Sequence, residues 1–192
     1  TQNGDRAKTK VNAGICRPPD NSSFAEQTEV YFGNPVYDNY PVVFVNWYNA
    51  QTFCQWRGAR LPSEAEWEKA ARGTDARTYP WGEGIDCSKA NYNDSCAGGT
   101  MPVKSYPNGL SPYTAYDMAG NVWEWVNDWY GETYYESLSS SNNPLGPESG
   151  QYRVARGGSW GSYDDLIRST IRNANDHSYT GYGIGFRCAR SP

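Results

Sequence analysis

Asp117-Met118-Ala119-Gly120-Asn121-Val122-Trp123-Glu124-Trp125 joins a Gly-Asn turn to a run of alternating side chains. Gly and Asn enter turn conformations at least cost. From Asn121 to Val126 the alternation predicts an extended strand, with Trp123 and Trp125 on one face and Val122, Glu124 and Val126 on the other. A carboxylate between two valines on a buried face is costly without a positive partner. Two kinds of partner answer that need. A hard cation such as calcium takes carboxylates from Asp117 and Glu124 and carbonyls from the intervening turn. Alternatively an arginine pairs with Glu124, and Arg153, Arg156, Arg168, Arg172 and Arg187 all stand in the C-terminal third.

Upstream, two helices are predicted. Pro41-Val42-Val43-Phe44-Val45 reads as a short buried strand leading into a helix capped by Asn46, with Trp47, Ala50, Phe53 and Cys54 on one face and Gly58 as its left-handed stop. Ser63-x-x-Glu66 has the form of a capping box. It opens a second helix with Trp67, Ala70 and Ala71 inward, Glu68 and Arg72 as an i,i+4 pair, and Gly73 at the end. The first 40 residues and the stretch from Glu132 to Gly150 read as loop, and Arg153–Trp160 and Ile184–Ala189 as the final strands. Gly157-Gly158-Ser159 lacks the Lys-Ser/Thr of a phosphate loop and reads as a tight strand bend.

A chain of 192 residues fits one domain. Its 8 Trp and 16 Tyr imply an irregular core laced with loops, because each of these rings carries a polar atom that needs a partner. The formal charge of -4 argues against a nucleic-acid partner, no apolar run is long enough for membrane insertion, and no charged-then-apolar signal peptide is present. Thr1 in place of Met points to a processing boundary within something longer. Five cysteines lack the C-x-x-C spacing of a zinc site, and a single His excludes a multi-histidine metal centre. Cys87 and Cys96 either close a short disulfide or stay as reduced thiols.

Four motifs together resemble the formylglycine-generating enzyme (sulfatase-modifying factor) family: Arg60-Leu61-Pro62-Ser63-Glu64-Ala65-Glu66-Trp67-Glu68, the Asp117–Trp125 stretch, Arg156-Gly157-Gly158-Ser159-Trp160 and Gly185-Phe186-Arg187-Cys188. The resemblance implies an α+β, C-type-lectin-like fold with two main helices, short antiparallel strands and long loops. It runs from about Val11 to Arg190 within a single domain, 1–192, and the family's opening strands, with their apolar-Met-Gly motif, are expected to be trimmed or to lie on another segment. It also implies a structural calcium ion on the side chains of Asp117 and Glu124 and the carbonyls of Gly120 and Val122. A second calcium site aligns with Asn91-Tyr92 and an acidic position near Asp94 or Ser95. A Cys54–Cys188 disulfide is implied in the same way, leaving Cys16 over. Family members that oxidise cysteine hold copper(I) on two cysteines shortly after Gly-Gly-Ser. Here Ser162 and Ile167 stand at those positions, a hard un-ionised hydroxyl and a side chain with no donor, so copper binding and formylglycine formation are not expected.

Residues 161–183 instead have the composition of a contact surface, in which Tyr supplies rigid area and Ser, Gly and Asn supply adaptable hydrogen bonds. A plain polar surface loop fits that composition equally well. The candidate contacts are Trp160, Ser162, Tyr163, Asp164, Asn173, Asn175, His177, Tyr179 and Tyr182. The segment also resembles the variable proteins of diversity-generating retroelements, whose ligand surface precedes a terminal Gly-Phe-Arg. The leading expectation is a non-catalytic, calcium-stabilised binding or display module, extracellular or at the cell surface, contacting a protein or glycan. The alternatives are an oxidoreductase with altered chemistry and a self-associating structural subunit of an extracellular assembly.

Overall fold

Each helix starts where a side chain closes its first turn. In the computed structural model, which describes residues 34–138 and 142–190, helix α1 spans Trp47–Trp56 and the Asn46 side chain accepts from the Asn49 backbone N–H at 2.9 Å. Its inward face is Trp47, Ala50 and Cys54. Phe53, expected on that face, is 44% exposed and lies against the rings of Trp56 and Phe186. Helix α2 spans Glu64–Arg72, with both bonds of the Ser63/Glu66 capping box formed and Trp67 and Ala71 buried. Arg72 and Glu68 pair at 2.9 Å, and Gly73 ends the helix at φ 72°.

Between the helices runs a four-stranded sheet: β1 (Trp123–Trp129), β2 (Tyr152–Arg156), β3 (Arg172–Asp176) and β4 (Ile184–Phe186), in the order β3-β2-β1-β4. The first three strands pair antiparallel, but β4 runs parallel to β1, so the sheet is mixed rather than wholly antiparallel. Residues 177–183 bring the chain back past the start of α1 before β4, with Trp47 N–H donating to the His177 carbonyl and Phe44 N–H to the Gly181 carbonyl.

The predicted alternation of β1 holds. Trp125 packs with Val45, Trp47, Ala50, Cys54, Leu61, Ala155 and Ile184 on the α1 face. Val126 packs with Trp67, Ala71, Met118 and Val154 on the α2 face. The strand extends past the predicted end at Val126 to Trp129, with a register shift between Trp125 and Trp129.

Other expectations are corrected. Pro41–Val45 is not a strand: Phe44 takes φ 57°, Val42 is 48% exposed, and only Val45 enters the core. β2 stops at Arg156 because Gly157 and Gly158 take φ 94° and 74°, the tight bend read from the sequence. β4 stops at Phe186, and β3 occupies a stretch read as loop. Cys54–Cys188 and Cys87–Cys96 both form disulfides. Cys16 and most of the N-terminal loop lie outside the described residues. Among the described residues no helix is long and apolar enough to cross a membrane.

Candidate functional site

The two positions that match the family's copper ligands lie beyond the Gly157-Gly158 bend. Ser162 is 6% exposed. Its hydroxyl accepts from the Ser159 backbone N–H at 3.0 Å and shares a hydrogen bond with the Ser159 hydroxyl at 3.2 Å. Ile167 is fully buried with Tyr79, Ala90 and Ala119, and a Cβ on Gly158 would collide with its side-chain methyl. A hydroxyl pair beside an aliphatic plug therefore occupies the place, and it holds no thiolate. Ser162, a candidate contact, turns inward.

At Glu124 the structure supplies an arginine. Arg187 reaches both carboxylate oxygens through Nε and Nη2 at 2.5 and 2.6 Å, and Trp67 Nε1 donates at 2.7 Å. A bidentate guanidinium meets the demand of a buried carboxylate in both charge and geometry. Two of the other groups expected around calcium also accept hydrogen bonds, the Asp117 carboxylate from Lys104 N–H and the Gly120 carbonyl from Val122 N–H, and Arg187 takes the Asp117 carbonyl besides. Burial pushes the Asp117 carboxyl above the usual carboxylate range, although the Lys104 N–H and Arg187 oppose the shift. With Arg187 in place, both Glu124 oxygens already carry a guanidinium. Asn91 differs. It is 1% exposed, its amide nitrogen donates to the Gly99 carbonyl at 2.7 Å, and its buried Oδ1 has no partner. An orphaned oxygen of that kind fits a hard cation.

The exposed tyrosines expected in the C-terminal segment are present, with Tyr163, Tyr179 and Tyr182 at 65%, 49% and 54% exposure. The candidate contacts divide into two groups. Trp160, Tyr163 and Asp164 cluster near the Asn93-Asp94 turn, whose N–H groups donate to the Ser162 and Trp160 carbonyls, and the Tyr182 ring lies 5.5 Å from Trp160. Asn173, Asn175 and His177 instead follow β3 to the start of α1.

Beside that second group stand Tyr48, Trp129 and Arg153, which the sequence did not single out for contact. Trp129, Arg153 and Asn175 are register partners across β1, β2 and β3, so their side chains share one face. The Arg153 guanidinium lies 3.5 Å from the Trp129 ring centre and 3.6 Å from that of Trp47. The His177 ring stands 6.4 Å from Trp129 and 5.1 Å from Tyr48. Burial lowers the Arg153 pKa to about 10, which leaves it charged at neutral pH. The available signal was the strand alternation, which puts Arg153 on the face opposite Val154.

Comparison with known proteins gives this geometry its setting. The chain is 50% identical over 159 residues to a Chlamydia caviae protein named serine/threonine-protein kinase pkn1, a match covering 81% of this chain and 25% of that protein. It is 41% identical over 169 residues to a Streptomyces coelicolor formylglycine-generating enzyme, covering 79% and 52% respectively. It thus spans about a quarter and about half the length of these two relatives. Among solved structures, Treponema denticola variable protein 1 superposes with a TM-score of 0.70 at 25% identity, over 80% of this chain and 72% of that one. The model of the sulfatase-modifying factor enzyme 1-like domain matches residues 11–192, the span that carries the Arg60, Asp117, Arg156 and Gly185 motifs. The chain therefore belongs to the sulfatase-modifying factor enzyme 1-like domain family.

Proposed function

We propose that this domain is a non-catalytic binding module that keeps the family frame and uses its C-terminal surface for contact. The observation that carries the reading is the Ser162/Ile167 position, where a buried hydroxyl and an aliphatic side chain replace two soft ligands. The contact surface is Trp160, Tyr163, Asp164 and Tyr182 on one side and Asn173, Asn175 and His177 on the other, with exposed Tyr179 on the turn that follows β3. Rigid, exposed tyrosines are suited to a protein or glycan ligand. The likeness to a variable protein supports the same reading. Two disulfides suit an extracellular or cell-surface setting.

Calcium belongs to this proposal as a structural ion drawn to the orphaned Asn91 Oδ1, with Arg187 already serving Glu124. Calcium is then expected to raise the melting temperature of the native chain but not that of Asn91→Ala. An equal rise in both would remove the ion from Asn91.

The contact reading is tested by presenting the chain to arrays of glycans and of displayed peptides beside its Tyr163→Ala/Tyr179→Ala/Tyr182→Ala variant. Binding that the variant loses is expected. Binding that is indifferent to all three tyrosines, with the variant still folded, contradicts the assignment.

A further inference from the structure

Four arginines stand on or against the sheet, and three are matched by carboxylates. Arg156 meets Glu68 at 2.6 Å, Arg172 meets Glu64 at 2.7 Å and Arg187 meets Glu124 at 2.5 Å. Arg153 donates to the Asn127 carbonyl at 2.6 Å and forms no ion pair among the described residues. A guanidinium clamped between two indoles is already oriented, so little side-chain freedom remains to be lost when an anion binds.

The Asp176 carboxylate, at the end of β3, has its Oδ1 3.8 Å from His177 Nδ1 and accepts from the Ser178 N–H and hydroxyl. Arg153 Nε, Asn175 Nδ2 and His177 Nδ1 are all buried without a hydrogen-bond partner. The three side chains meet around Trp129: Asn175 is the cross-strand partner of Arg153, and the His177 and Arg153 groups both lie against the Trp129 ring. Buried polar atoms left unpaired are costly, and several converging on one place mark the absence of a group that would satisfy them. Tyr48, 48% exposed, and His177, with its side chain 37% exposed, form the outer wall.

We infer that Arg153, Asn175 and His177 form a carboxylate-binding subsite walled by Trp129 and Tyr48. The carboxylate approaches from the solvent side of Tyr48 and His177, and accepts from Arg153 Nε and the Asn175 amide while the rings pack on the carbon atoms next to it. An acidic side chain of a protein and an acidic sugar both present this group. The inference rests on the contact-module reading for its biological use. It involves none of the three tyrosines on which that reading is tested.

The test follows the Arg153 Nε–H resonance of the native protein during titration with N-acetylglutamate amide and with glucuronate. N-acetylglutamine amide and sodium chloride serve as controls at matched ionic strength. A saturable shift with either carboxylate, absent with both controls, is expected, and the tighter of the two identifies the source. Arg153→Lys, which keeps the charge and loses the fork, should weaken binding about tenfold, and Asn175→Ala should weaken it without unfolding the strand. An equal shift with chloride or with the neutral amide overturns the subsite, as does silence with both carboxylates. Silence here beside tyrosine-dependent binding on the arrays removes this inference alone. A carboxylate response beside tyrosine-independent array binding removes the tyrosine surface alone.

Discussion

The two faces of the sheet solve the same packing problem with different chemistry. On the α2 face, Glu64, 1% exposed, is held by Arg172 at 2.7 and 2.8 Å, while fully buried Arg156 binds Glu68 and the carbonyls of Ser169, Thr170 and Ile171. On the α1 face, indoles fill the space and Cys54 ties the helix to Cys188, just past β4. Charge is neutralised internally on the first face. Arg153 is left with charge to spare on the second. An arginine's surroundings therefore decide whether it serves the fold or is free to meet a ligand.

The largest effect is expected where the α1 face is stapled. Cys54→Ala/Cys188→Ala releases a loop closed over a sequence separation of 134 and should cost about 4 to 5 kcal/mol in the chain-entropy account, read as a shift in the denaturant midpoint. A loss no larger than that of an ordinary surface change would show that the indoles alone hold α1.

Next comes the α2 face. Glu64→Ala leaves Arg172 without its carboxylate and should cost about 3 to 5 kcal/mol in the same assay. A cost near zero would mean that the Glu64–Arg172 pair does not hold the α2 face.

Asp128 sharpens the contrast through pH. Its carboxylate, 1% exposed, accepts from the Glu64 N–H at the start of α2, and burial pushes its pKa up to about 6. The folded protein therefore holds this proton more tightly than the unfolded chain does. The resulting stability is full below the unfolded pKa of 3.8 and is lost as pH rises through about 6, a change of about 2 to 3 kcal/mol. Asp128→Asn should flatten that part of the stability profile. An unchanged slope between pH 4 and 7 would mean that another group carries it.

The smallest expected loss is that of Arg153→Met, about 1 to 2 kcal/mol, because two cation–π contacts disappear and no carboxylate is stranded. A cost equal to that of Glu64→Ala would make Arg153 as structural as its neighbours.

Much of the frame was legible because local chemistry determines it. Asn46 and the Ser63/Glu66 pair announce the helix starts, and the Trp123–Val126 alternation assigns both faces of β1. The parts that were missed depend on distant contacts. Arg172-Asn173-Ala174-Asn175-Asp176 has no apolar period and becomes a strand only because β2 offers it five register partners. Pro41–Val45 has the composition of a strand, yet Phe44 takes a left-handed conformation to meet the Gly181 carbonyl. At the site, the sequence narrowed Glu124's arginine to five candidates, and only the fold places Arg187 on it. The Arg153 row was hidden for the same reason, since Trp129, Arg153 and Asn175 become neighbours only when three strands align.

In the proposed binding-module reading, Ser162 and Ile167 supply no oxidase centre within the family frame. Titration of the native, disulfide-intact protein with copper(I), in the presence of oxygen and a cysteine peptide, tests it directly. The account predicts no stoichiometric copper uptake, no oxygen consumption above the protein-free control and no formylglycine in the peptide. Tight one-to-one uptake with oxygen consumption and aldehyde formation would contradict it.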